Sequence, residues 1–175
     1  MRISYIASGL LAGALALAPM AFARVPQSCP CVSNKPTAAS YTWNFKTEAS
    51  QLLNDVKADA LKVRMKSDRL NSLADDQEVD WQVHADLLNR IRDNINNMAA
   101  KVCRLERIRR VASRSERQEI NRTLPYVESL ARNADDAINR LNTSHDGLWQ
   151  PVYHSYITNM YTDAKGLERT LTSKG

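Results

Sequence analysis

The sequence predicts an all-α protein: an up-down-up-down antiparallel four-helix bundle, preceded by a signal peptide and an extended tether. Three observations carry that prediction. Apolar residues recur in steps of three and four along four separate stretches, as one buried face of an amphipathic helix requires. Strand signals are missing, with no alternating runs and no Asn-Gly or Asp-Gly turn between such runs. Only two glycines fall between residues 42 and 174, and the breaks between the stretches are short, which forces neighbouring helices to run antiparallel.

The first 23 residues have the form of a secretory leader. Arg2 supplies the positive start, Ile6 to Ala18 is an apolar run of 13 residues, Pro19 interrupts it, and Ala21-Phe22-Ala23 is an A-x-A processing site. Cleavage after Ala23 is expected, which makes the mature protein periplasmic or secreted. The run is shorter than the roughly 20 residues a membrane span needs, and no later segment is apolar enough, so no transmembrane segment is expected after processing. Net charge is +5 for the whole chain and +4 once Arg2 leaves with the leader. A mature chain of 152 residues is long enough for one core that does not depend on disulfides.

Residues 24–40, RVPQSCPCVSNKPTAAS, contain three prolines and no periodicity, and read as an extended tether. Residues 41–175 read as the bundle. The first seam is Ala49, Leu53, Val56, Ala60, Val63, Ser67, Leu70, Ala74. The second is Trp81, His84, Leu88, Ile91, Ile95, Met98, Val102, Leu105. The third is Ile120, Leu124, Val127, Ala131, Ala134, Ile138, Leu141, and the fourth is Tyr153, Ile157, Met160, Ala164, Leu167, Leu171.

Punctuation fits these seams. Asp80 is placed to cap the second helix, and Asp75, Asp76 and Glu78 favour its positive N-terminal pole. Ser113 with Glu116, or Ser115 with Gln118, would form a capping box for the third. Asp146-Gly147 is expected to end that helix, and Pro151 suits the first turn of the fourth. Pro125 conflicts with an uninterrupted third helix, since an interior proline costs about 3 kcal/mol; a kink is expected, with a break as the alternative.

Trp81-Gln82-Val83-His84-Ala85, Asn94 to Met98, Pro125, Ala137 to Asn142, and Trp149-Gln150-Pro151-Val152-Tyr153 with Tyr156 together resemble an uncharacterised family of secreted bacterial all-helical proteins. The likeness runs from residue 41 to 172. It implies export and a helical fold, and brings no activity, cofactor or partner to any position.

Antiparallel topology sorts the remaining residues by end. One pole collects all three histidines, His84, His145 and His154, with Trp81, Trp149, Tyr153 and the acids Asp75, Asp76, Glu78, Asp80 and Asp146. Imidazoles in a bundle core are a usual way to hold a metal or haem. Here, however, no two histidines stand at i, i+3 or i, i+4, and there is no Glu-x-x-His and no C-x-x-C-H. His84 is therefore read as a packed ring satisfied by one hydrogen bond, and no cofactor is expected; a metal- or haem-binding bundle is the alternative.

The opposite pole holds seven arginines, Arg104, Arg107, Arg109, Arg110, Arg114, Arg117 and Arg122, against Glu106, Glu116 and Glu119. This local excess of +4 could meet an anionic surface or an acidic envelope protein, although arginines near a helix C-terminus also suit its dipole. Nucleic acid is excluded as a partner by export and by aromatic residues at the wrong pole for base stacking. A second copy of the chain is a further partner the seams would accept. Cys29-Pro30-Cys31 cannot easily close on itself, so a bridge from one of them to Cys103 is favoured, with free thiols and C-P-C redox chemistry as alternatives.

No nucleophile with a base, no cleft of paired carboxylates and no phosphate-cradling loop is readable. The sequence thus points to a non-enzymatic exported bundle that acts by surface contact in the cell envelope.

Overall fold

The computed structural model describes residues 45–172 apart from residues 77, 146, 147 and 149. The expected leader, the tether with Cys29 and Cys31, the Asp146-Gly147 stop and Trp149 lie outside the described residues. Within them the chain is four helices, α1 (Phe45–Ala74), α2 (Trp81–Ile108), α3 (Arg114–Thr143) and α4 (Pro151–Thr172), with no strand among the described residues. α1 packs against α2 and α4, and α3 completes the ring against the same two helices, while the diagonal pairs touch little. The result is an antiparallel four-helix bundle.

The core is where the seams meet. Every seam residue of α1 and α4 is buried, as are the α2 positions from His84 to Leu105. Each fully buried Leu, Ile, Met or Val contributes about 1.5–3 kcal/mol relative to exposure, so these stripes outweigh any local propensity. Two seam assignments need correction. Trp81 is 37% exposed, because the first residue of a helix has a full turn of bundle on only one side of it. In α3 the seam residues Ile120, Val127, Ala131, Ala134, Ile138 and Leu141 are buried, with Glu116, Thr123, Leu130 and Ala137 buried beside them, whereas Leu124 is only half-buried. Thr123 is tolerated inside because its hydroxyl donates to the Glu119 carbonyl, 2.9 Å away, within its own helix.

Ends and caps follow local chemistry. The Asp80 carboxylate accepts from the Gln82 amide at the start of α2. Of the two boxes open to α3, Ser113 with Glu116 forms: the Glu116 amide donates to the Ser113 hydroxyl, and the Ser113 amide donates to the Glu116 carboxylate at 2.8 Å. α3 stops at Thr143 with Ser144 as its C-cap, a few residues before the expected Asp146-Gly147 stop. Pro125 does not break α3, which runs through it unbroken. The proline and Asn121, whose carbonyl loses its partner, are both exposed, so water replaces the missing bond.

The four helices do not end together. Arg64 of α1 pairs with Glu168 of α4 at 2.8 Å, and Tyr126 of α3 lies against Gly166 of α4. Continuing these antiparallel registers places Thr172 opposite Ala60 and Ile120. Beyond that level only α1, α2 and α3 continue among the described residues. Among the described residues the arginine pole is thus built by three helices, and the histidine pole by four.

Candidate functional site

The histidine pole is built by the end of α1, the starts of α2 and α4, and the end of α3. His84 and Tyr153 are the first deep residues of α2 and α4, and both are fully buried. The His84 Nδ1 and Tyr153 Oη are 3.1 Å apart, with the rings tilted at 52°. Each thus supplies the one polar partner that the other needs in an apolar layer. Burial lowers the His84 pKa from 6.5, with a smaller push from the nearby His154, so the ring is neutral at pH 7. Burial also holds the Tyr153 phenol well above its ordinary range.

The other two histidines go elsewhere. His145 stacks on Trp81, ring centroids 4.2 Å apart and nearly parallel, in the exposed turn after α3. His154 is half-buried and places Nε2 3.7 Å from the Asp75 carboxylate, a contact that becomes an ion pair only when the ring is protonated. Each imidazole is thus turned to a different neighbour. Among the described residues, no group of three or more His, Cys, Asp or Glu is assembled that could hold a metal ion.

The arginine pole is more divided than its sequence suggests. Arg104 reaches across to α1 and grips Glu48, Nε to Oε1 at 2.5 Å and Nη2 to Oε2 at 3.1 Å; the Glu48 hydrogen bond raises the guanidinium pKa further. Arg109 pairs with Glu106 at 3.5 Å. Arg117 donates to the Ala112 carbonyl at 3.0 Å, closing the α2–α3 turn, and Arg107 also has an interaction. Arg104 ties α2 to α1, and Arg117 ties α3 to the turn before it. Arg110, Arg114 and Arg122 are exposed and form no ion pair among the described residues. Between the first two sits Val111, 57% exposed.

Cys103 lies half-buried on α2 at this end of the bundle and is disulfide-bonded. The chain's other cysteines, Cys29 and Cys31, both lie outside the described residues.

Between the poles is a site that the seams did not reveal. Asp59 of α1 is 3% exposed and accepts from Lys101 of α2 and from Lys62 one turn along, the latter at 2.8 Å. Burial pushes this carboxyl up, but the hydrogen bonds from Lys101 and Lys62 outweigh it and hold the pKa below 3.8. The signal was present: Asp59 adjoins the seam residue Ala60 and has Lys62 at i+3. It marks an ion pair that ties α1 to α2. No protein-family model, curated protein or solved structure matches this chain.

Proposed function

We propose that this protein is a non-enzymatic, exported helical bundle that works by surface contact in the cell envelope, as an adaptor, holdase or assembly factor, and that the arginine pole is the contacting surface. One observation supports this reading above the others. Four of the pole's seven arginines have a partner, and the remaining three, Arg110, Arg114 and Arg122, are exposed and form no ion pair among the described residues, with the first two flanking an exposed valine and Arg122 about two turns along α3. Charges that stabilise a fold are paired or aimed at helix ends; exposed like charges gathered at one end repel one another and favour an anionic partner. The leader-like residues 1–23 support the envelope as the setting.

The metal- or haem-binding alternative has no comparable observation in its favour. The imidazole best placed for it, His84, already shares its Nδ1 with Tyr153. Crosslinking in intact envelopes tests the proposal. The wild-type chain should give a discrete neighbour, and the R110Q/R114Q/R122Q chain, folded and exported equally well, should lose it. Identical crosslinks from both chains would remove the arginine pole from the function.

A further inference from the structure

Charge in this molecule is sorted along its length. Residues 70–89 and 141–160 contain no lysine or arginine and carry Asp75, Asp76, Glu78, Asp80, Asp86 and Asp146; Arg140, which donates to Gln150, is a cation at the histidine pole and leaves the acids there in excess. The other end carries the excess of +4 between Arg104 and Arg122. A helix of 30 residues such as α3 is about 45 Å long, several times the roughly 8 Å over which physiological salt screens a charge. The acidic pole therefore does not neutralise the basic one. A negatively charged plane would attract one end of the molecule and repel the other.

The shape of the basic end narrows the choice of partner. It is built on the short turn between α2 and α3, in which Val111 is exposed, with Arg110 beside it and Arg114 opening the next helix. An exposed apolar side chain flanked by cations that form no ion pair among the described residues suits a deformable anionic layer, where the cations meet head groups and the valine enters the interface. The sides of the bundle are less suited to it, since their charges are of mixed sign and joined in pairs such as Arg64 with Glu168 and Arg90 with Asp86.

We propose that the arginine pole docks end-on onto an anionic phospholipid bilayer, with Arg110 and Arg114 at the head groups, Val111 at the interface, Arg122 about two turns behind them along α3 and the acidic histidine pole facing away. This rests on reading the arginine pole as the contact surface and names what that surface meets. No helix among the described residues is long and apolar enough to cross a membrane, so the attachment is peripheral.

Co-sedimentation of the full chain with phosphatidylcholine vesicles, with and without phosphatidylglycerol, tests the proposal. Binding is expected only to the anionic vesicles and is expected to weaken as salt is raised. R110Q/R114Q/R122Q should lose at least about 25-fold in affinity, from about fivefold for each of the two arginines at the charged surface. V111D should also weaken binding while leaving the thermal unfolding curve in place. Equal binding to neutral vesicles, or anionic binding that survives the triple substitution, would overturn the proposal. So would concentration-dependent self-association at low salt, abolished by the triple substitution, in a chain that ignores vesicles; a second copy would then be the partner. The same variants in the envelope crosslinking separate the two readings. Lost crosslinks without vesicle binding would sink the bilayer and leave the contact surface, whereas crosslinks and vesicle binding both indifferent to the arginines would sink both.

Discussion

The two ends of this bundle are built on opposite principles. At the histidine pole four helices converge, and the deepest polar side chain, His84, is buried against Tyr153, while His145 stacks on Trp81 in an exposed turn and His154 reaches toward Asp75. At the arginine pole, where α1, α2 and α3 meet among the described residues, Arg104 is held by Glu48, but Arg110, Arg114 and Arg122 are exposed and form no ion pair among the described residues. A residue type that looks functional in a sequence, such as histidine, is thus spent on packing at one end. A type that looks like solvated decoration is left exposed at the other. The difference arises because a buried imidazole must find its partner inside the protein, whereas an exposed guanidinium need not.

The largest expected effect tests the histidine pole. Tyr153→Ala should cost about 3–5 kcal/mol, the range for emptying an aromatic site, measured as a shift of the urea midpoint at constant slope. A smaller loss would mean that the four-helix end collapses around the gap. Next comes the ion pair midway between the poles. Asp59→Ala should cost about 1–3 kcal/mol: removing one member of a buried pair is expensive, but Lys62 and Lys101 both retain access to water. The same carboxylate fixes an acid limb. Its folded pKa is depressed, so its contribution is fully present above 3.8 and is lost as pH falls through the lower folded value.

Tyr153→Phe should cost about 1–2 kcal/mol by leaving His84 without its partner. His84 also sets a pH response. Its pKa is depressed on folding, so below 6.5 the unfolded chain takes up the proton first. Stability then falls until the folded ring protonates, with a slope of at most about 1.4 kcal/mol per pH unit. Urea titrations at a series of pH values should show this limb, and His84→Gln should flatten it. The smallest effect belongs to the arginine pole. R110Q/R114Q/R122Q should alter stability by no more than about 0.5 kcal/mol, as exposed substitutions away from such features do. A large loss there would mean that these arginines serve the fold after all, and the contrast between the poles would disappear.

Much of this architecture could be read in advance because it depends on spacing. The alternation of four and three from Ala49 to Ala74 needs only one helix and one direction for the core. The Asp80 cap and the Ser113–Glu116 box are likewise local, set by residues two or three apart. Errors appeared where the outcome depended on neighbouring helices. Leu124 continues the α3 stripe as well as Thr123 does, and Thr123 lies deeper only because of where α2 and α4 stand. Trp81 fits its seam by number, yet the end of a helix has less around it than the middle. Asp59 went unnoticed because its partner Lys101 lies 42 positions away, and the close approach at Gly166 because Tyr126 belongs to another helix.

By itself the sequence determined the helices, their number, order and apolar faces, and the sorting of charge between the two ends. These depend on periodicity and on short connections, which act over a few residues. Only the tertiary structure decided which polar residues are used up: that His84 takes Tyr153, that Asp59 takes Lys101, that Arg104 takes Glu48, and that Arg110, Arg114 and Arg122 form no ion pair among the described residues. Partnership of that kind depends on the register between helices and on where each one stops. Packing fixes those quantities by matching surfaces far apart in the chain.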